Sequence, residues 1–172
     1  MNFSGVTIML NNKWLTSTIF FLIIFLSSGL AYCDDNQCHY CGMRRAQYGH
    51  SCIVIEHEGG CLKGVCSIHC ASIDMIIHSK KLIKSITVGD FYTQKQIEAG
   101  KAFWVIGGNK AGVMTSRAKW AFETKETADD FIRRHGGQPA IFSDVLKASF
   151  DDMYEDILMI QKKTIMMKIS KD

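Results

Sequence analysis

The chain has 172 residues, a formal net charge of +3 and 47% hydrophobic residues, with seven cysteines, nine methionines and one proline. So small a charge gives no footing for nucleic-acid binding, which wants a dense basic face, and the length suits one compact domain with its own core. The sequence shows no Ser/His/Asp set, paired carboxylates or phosphate-cradling glycine loop, so it does not read as an enzyme.

At the N-terminus, Lys13 precedes an apolar run from Ile19 to Leu26, followed by Ser27-Ser28-Gly29 and Leu30-Ala31-Tyr32-Cys33. A weakly basic start, a short apolar core and small residues before a cleavage point form the layout of an export signal. The run falls short of the roughly 20 apolar residues of a membrane span. Residues 1–32 are therefore expected to be an export signal or membrane anchor. Cys33 sits in a lipoprotein-like box and is the lipidation candidate, although Tyr32 stands where that pattern wants a small residue. This predicts an extracytoplasmic (periplasmic) protein held at the membrane by its signal anchor or a lipid, with residues 33–172 as the mature domain. Its parts are predicted as sub-units of about 38–88 and 89–142 and a C-terminal helix over 143–168.

The mature chain opens on Cys38-His39-Tyr40-Cys41-Gly42-Met43. Next come Cys52 to Glu56 and Cys61 to Val65, two strands predicted to form a hairpin about Gly59-Gly60. That two-residue loop would set Glu58 against Cys61 and Ile53 against Cys66. Ser67 is placed to cap a helix over Ile68–His78, with Ile73, Ile76 and Ile77 as its apolar residues. Ile86-Thr87-Val88 leads on to Asp90-Phe91-Tyr92. Phe103 to Ile106 reads as a buried strand, Gly112-Val113-Met114 as a glycine-flanked loop and Trp120 to Glu123 as another strand. Thr124 caps a helix through His135 that ends at Gly136-Gly137. Pro139 to Phe142 is a short strand, and Ser143 is expected to cap the last helix, whose stripe is Leu146, Phe150, Met153, Tyr154, Ile157 and Leu158. The order strand, strand, helix, strand thus occurs twice, and the fold class is α+β.

Seven cysteines in an exported chain would ordinarily point to disulfides. Their clustering argues otherwise, because Cys38/Cys41 and Cys66/Cys70 have the spacing of metal ligands. Four thiolates suit Zn(II), whereas a thioether beside them favours Cu(I). Met43 follows Cys41-Gly42, and a glycine there lets the backbone turn tightly enough for both sulfurs to meet one ion. Met114 lies in a comparable glycine loop, and His50 follows a turn at Gly49. His39 and His69 lie inside the two cysteine motifs. Cys52 and Cys61 are expected to pack as small hydrophobes, and His57, His78 and His135 to lie at the surface or at helix ends. A reversible Cys38–Cys41 redox pair is a further alternative, although no βαβ context surrounds it.

Tyr40-Cys41-Gly42-Met43, Asp90-Phe91, Lys101 to Val105, Gly112-Val113-Met114, Ala128-x-x-Phe131 with Gly136-Gly137, and Phe142-x-Asp144 together resemble the NosL family of copper chaperones. These are the exported accessory proteins of nitrous-oxide reductase maturation. The resemblance implies two related ββαβ units akin to organomercurial lyase, with a C-terminal helix. It implies Cu(I) held by Cys41 and Met43, with Met114 as a third soft ligand, and delivery to a membrane-associated maturation complex or another copper-accepting client. Cys38 and the Cys66-Ser67-Ile68-His69-Cys70 element depart from the family's minimal pattern. With Cys41-Gly42-Met43 they are similar to YHS or TRASH metal modules. The alternative is thus a structural or sensory zinc module built on Cys38, Cys41, Cys66 and Cys70.

Overall fold

The structure, a computed structural model, describes residues 36–170; the expected export segment and Cys33 lie outside them. After a single 3-10 turn at Arg45–Tyr48 come β1 (Ile53–His57), β2 (Leu62–Val65), α1 (Ile68–Ile77), β3 (Ile83–Gly89) and β4 (Gln96–Glu98). Then follow β5 (Phe103–Ile106), β6 (Lys119–Phe122), α2 (Lys125–His135), β7 (Gln138–Ala140) and α3 (Phe142–Ile169). One antiparallel sheet runs β2-β1-β3-β4 and the other β6-β5-β7. In both, a hairpin leads into a helix, and a third strand returns to pair with the hairpin's first strand. The chain is α+β with two ββαβ units and a C-terminal helix, as its element order predicts. β4 is an addition to the outer edge of the first sheet. Three residues are too few to show a period in sequence.

β1 alternates buried Ile53, Ile55 and His57 with half-exposed Val54 and Glu56, the period of a strand with one covered face. Its pairing corrects the expected register. Ile53 lies opposite Val65, and Glu56 opposite Leu62. The loop is Glu58-Gly59-Gly60, with Gly59 and Gly60 at φ 95° and 79°. Residues directly opposite share a face, so this register keeps Val65 inside with Ile53, where a one-residue slip would turn it outward. It also leaves Cys66 beyond the strand end. A second correction concerns His57, expected at the surface and found 2% exposed.

The covered face of α1 is Ile68, Cys70, Ala71, Ser72 and Asp74. The isoleucines that suggested an apolar stripe lie elsewhere, with Ile76 and Ile77 57% and 61% exposed. Ser67 stands at the N-cap in extended backbone, although its hydroxyl makes no cap bond. α2 follows its sequence signals closely. Thr124 Oγ1 accepts the Thr127 N–H at 3.3 Å, and the Gly136 N–H closes on the Ile132 carbonyl at 2.8 Å. α3 begins earlier than a Ser143 cap predicts: its N-cap is Ile141, whose N–H donates to the Asp144 carboxylate at 3.5 Å.

The two units join at Asp90 and Phe91. Asp90 bridges in parallel to Ala121 and accepts the Glu123 N–H at 2.9 Å. The Phe91 ring lies 5.0 Å from both Trp120 and Phe131. α3 packs on α1 of the first unit and β5 of the second, tying them along one side. Its buried contacts come from Val145, Ala148, Ser149 and Asp152. Tyr154, Ile157 and Leu158, expected in the stripe, are exposed, as is every residue from 157 to 170. No helix among the described residues is long and apolar enough to cross a membrane.

Candidate metal centre

Two local structures bring four thiols together. The first is a tight turn ahead of the sheets. Gln37 and Arg44 form a bridge, the Cys38 N–H donates to the Met43 carbonyl at 2.7 Å, and the Gly42 N–H donates to the Cys38 carbonyl at 2.8 Å. Gly42 sits at φ 72°, where a side chain is strained although the space around it is open. This turn points the Met43 N–H back at the Cys41 sulfur. The second structure is the junction of β2 with α1. Cys66 follows the last strand residue, and Cys70 stands one turn on, within the first turn of the helix. Ser51 holds the junction from behind, its hydroxyl donating to the Cys66 carbonyl at 2.8 Å.

The Sγ atoms of Cys38, Cys41, Cys66 and Cys70 all lie within 4.8 Å of one another. Cys41 and Cys66 are 3.4 Å apart, and Cys66 and Cys70 3.7 Å. Four sulfurs at the usual 2.3 Å from a tetrahedral ion stand about 3.8 Å apart. The arrangement thus fits one soft or borderline cation with little movement. Cys38, Cys66 and Cys70 are buried, whereas Cys41 is only partly so. Cys41 is therefore the rim of the cluster and the thiol open to exchange.

Charge in the cluster is unequal. The hydrogen bond with Cys70 holds the Cys66 thiol down to about 5, against burial and with help from Cys41, Ser67 and Cys38. Cys70 is pushed up by its bond with Cys66 and by burial. Burial pushes Cys41 up to about 11, although the Met43 amide pulls the other way. Cys66 is thus the thiol favoured toward the thiolate, beside a helix N-terminus that favours negative charge. Binding an ion releases the remaining thiol protons. None of the six cysteines from 38 to 70, Cys52 and Cys61 among them, is in a disulfide.

The other candidate ligands stand as follows. Met43 lies in the Cys38–Cys41 turn itself, half-buried and packed on the core. Met114 lies in the β5–β6 loop at φ 57° and is 36% exposed. Its neighbour Thr115 donates a hydrogen bond to Asp152 of α3. His50 belongs to an aromatic stack, 5.4 Å from Trp120 and 6.0 Å from Phe91, where burial lowers its pKa. It is not one of the residues grouped with the four thiols. His39 is exposed, and His69 has a buried Nδ1 with no hydrogen-bond partner among the described residues.

Sequence reasoning missed the groups behind the turn. The Tyr40 hydroxyl donates to Asp74 Oδ1 at 2.5 Å, pinning the Cys38–Cys41 turn to α1 one helical turn past Cys70. Burial would raise the Asp74 pKa, but its hydrogen bonds with Tyr40 and His57 outweigh it and hold the carboxyl below its usual range. Two signals were available. His57 continues the inward parity of Ile53 and Ile55, and Asp74 lies four residues after Cys70.

The sequence profile of the NosL family matches residues 30–150. The crystal structure of the copper chaperone NosL from Shewanella denitrificans superposes with a TM-score of 0.55 at 21% identity, over 71% of this chain and 96% of that one. That likeness establishes the fold. No curated protein sequence matches the chain.

Proposed function

The chain belongs to the NosL family, and on that footing we propose that it is a metallochaperone whose cargo is Cu(I). Cys41 and Met43 capture the ion at the rim, Cys38 assists, and Met114 is offered as an outer soft ligand. Release proceeds by stepwise exchange onto a partner's soft ligands. The partner class is a copper-accepting client or membrane-associated maturation complex, such as the one that builds the copper-sulfide centre of nitrous-oxide reductase. The proposal places the protein outside the cytoplasm, held at the membrane by residues 1–32 as a signal anchor or by a lipid on Cys33. One observation carries the reading: in a four-thiol cluster with three members buried, the partly exposed one belongs to Cys41-Gly42-Met43. An ion so placed can be approached and removed one ligand at a time, as transfer requires.

Anaerobic Cu(I) titration of the reduced protein against a competing chelator tests this. A tight 1:1 complex is expected, weakened at least tenfold by Cys41→Ala and several-fold by Met43→Ala. Unchanged affinity in both variants would sink the chaperone reading.

The four-thiol geometry also suits a structural or sensory zinc site, since the spacing matches a closed tetrahedral shell. In that case the metal-free protein loses its fold and zinc restores it. A chaperone keeps its sheets when empty, which far-UV circular dichroism with and without chelator decides.

A further inference from the structure

On the other side of Tyr40 from the thiols lies a second group of metal-ligating side chains. His57 from β1, Asp74 from α1 and His78 at the end of α1 each bring a ligand atom within 4.8 Å of the others. His57 Nε2 is 2.6 Å from Asp74 Oδ2, and His78 Nδ1 is 3.2 Å from Asp74 Oδ1. The His57 and Asp74 side chains are 2% and 0% exposed. Burying a carboxylate and two imidazoles together costs free energy unless every polar atom finds a partner. Here one does not: His57 Nδ1 is buried with no hydrogen-bond partner among the described residues. The cluster already attracts a cation. Lys63 of β2 sends its ammonium to 3.5 Å from Asp74 Oδ1 and 3.2 Å from His78 Nε2. Its side chain is 24% exposed, and a lysine's flexible stem lets the ammonium withdraw to water.

We propose that His57, Asp74 and His78 form a second cation site, of nitrogen and oxygen ligands, which takes a borderline divalent ion such as Zn(II) when Lys63 swings out. Two imidazoles and a carboxylate are a recurrent donor set for such ions. The set is harder than the four thiols, so the two sites sort cations by softness. Cu(I) goes to the sulfurs, and a divalent ion left over goes to His57, Asp74 and His78. Entry is from the His78 side, where the imidazole is 18% exposed. Lys63 acts as an internal competitor, and its charge sets how tightly the site binds.

Cobalt(II), a spectroscopic stand-in for zinc, tests this on the reduced full chain without oxygen. The first equivalent should give thiolate-to-cobalt charge-transfer bands in the near ultraviolet. The second should add visible absorption with no further charge transfer. Lys63→Gln should bind the second equivalent at least tenfold tighter, and His78→Ala at least tenfold weaker, both with the first-equivalent spectrum unchanged. A single equivalent in both the unaltered protein and Lys63→Gln overturns the proposal. So does a second equivalent indifferent to either substitution. Loss of the charge-transfer bands alone would count against the four-thiol site and leave this one standing.

Discussion

Gly42 shows how one backbone angle governs the metal turn. At φ 72° with open space around it, an alanine would meet no clash but would bear the left-handed strain of about 1–2 kcal/mol. Without metal the turn can relax that strain, whereas an ion bound to Cys38 and Cys41 fixes it. Gly42→Ala should therefore weaken metal binding about tenfold while moving the metal-free thermal midpoint little, as paired titration and melting would show. Asp90 sets a different dependence. Burial would raise its pKa, but the Thr93 and Glu123 amides and the Thr93 hydroxyl outweigh that and hold it below the usual range. A carboxyl depressed in the folded state contributes stability that is complete above its unfolded value, about 3.9. That contribution is lost as pH falls through the folded value. The thermal midpoint should drop below about pH 4 as this contribution is lost, and Asp90→Asn should shrink that acid drop.

Among the elements, α3 depends on one buried charge. Asp152 receives the Lys119 ammonium at 2.5 Å, and Thr115 and Arg117 also bond to it. Burial pushes Lys119 down despite this partner, so the lysine is held at a desolvation cost that the carboxylate offsets, with help from the Thr115 hydroxyl and the Arg117 carbonyl. Asp152→Ala should destabilise by about 3–5 kcal/mol, whereas Lys119→Met with Asp152→Leu should recover most of the loss; denaturant midpoints of the three proteins decide it. α2 carries a smaller expectation, about 1 kcal/mol for Thr124→Ala at its N-cap. The elements also show where sequence reading works. α2 was legible from end to end because its cap, its face and its terminating glycines all agree. α1 was misread because Ile76 and Ile77 face outward, while beyond Ile68 its covered side holds cysteine, alanine, serine and an aspartate that no hydrophobic pattern marks. The hairpin register failed by one residue because both two- and three-residue loops suit a Glu-Gly-Gly sequence. The four cysteines were legible by spacing alone, whereas Tyr40, His57 and Asp74 needed the fold to meet.

At the largest scale, residues 36–170 divide into a packed body and the projecting end of α3. The 28 residues of α3 extend about 42 Å, and every residue from 157 to 170 is exposed, including Ile157, Leu158, Met159, Ile160, Ile165, Met166, Met167 and Ile169. Side chains left this exposed bury little and add little to folding. Removing residues 157–172 should leave the thermal midpoint within a few degrees, equivalent to less than about 1 kcal/mol, and should reduce self-association at high concentration. Scanning calorimetry and light scattering on the shortened chain check both.

The turn that carries Cys38 and Cys41 precedes every described strand, and besides its own bridge it is tied to the body through Tyr40 and the thiol cluster. An ion held by the four thiols would add a mechanical fastener to these ties, joining Cys38 and Cys41 to the β2–α1 junction. Loaded and empty molecules then differ in slack.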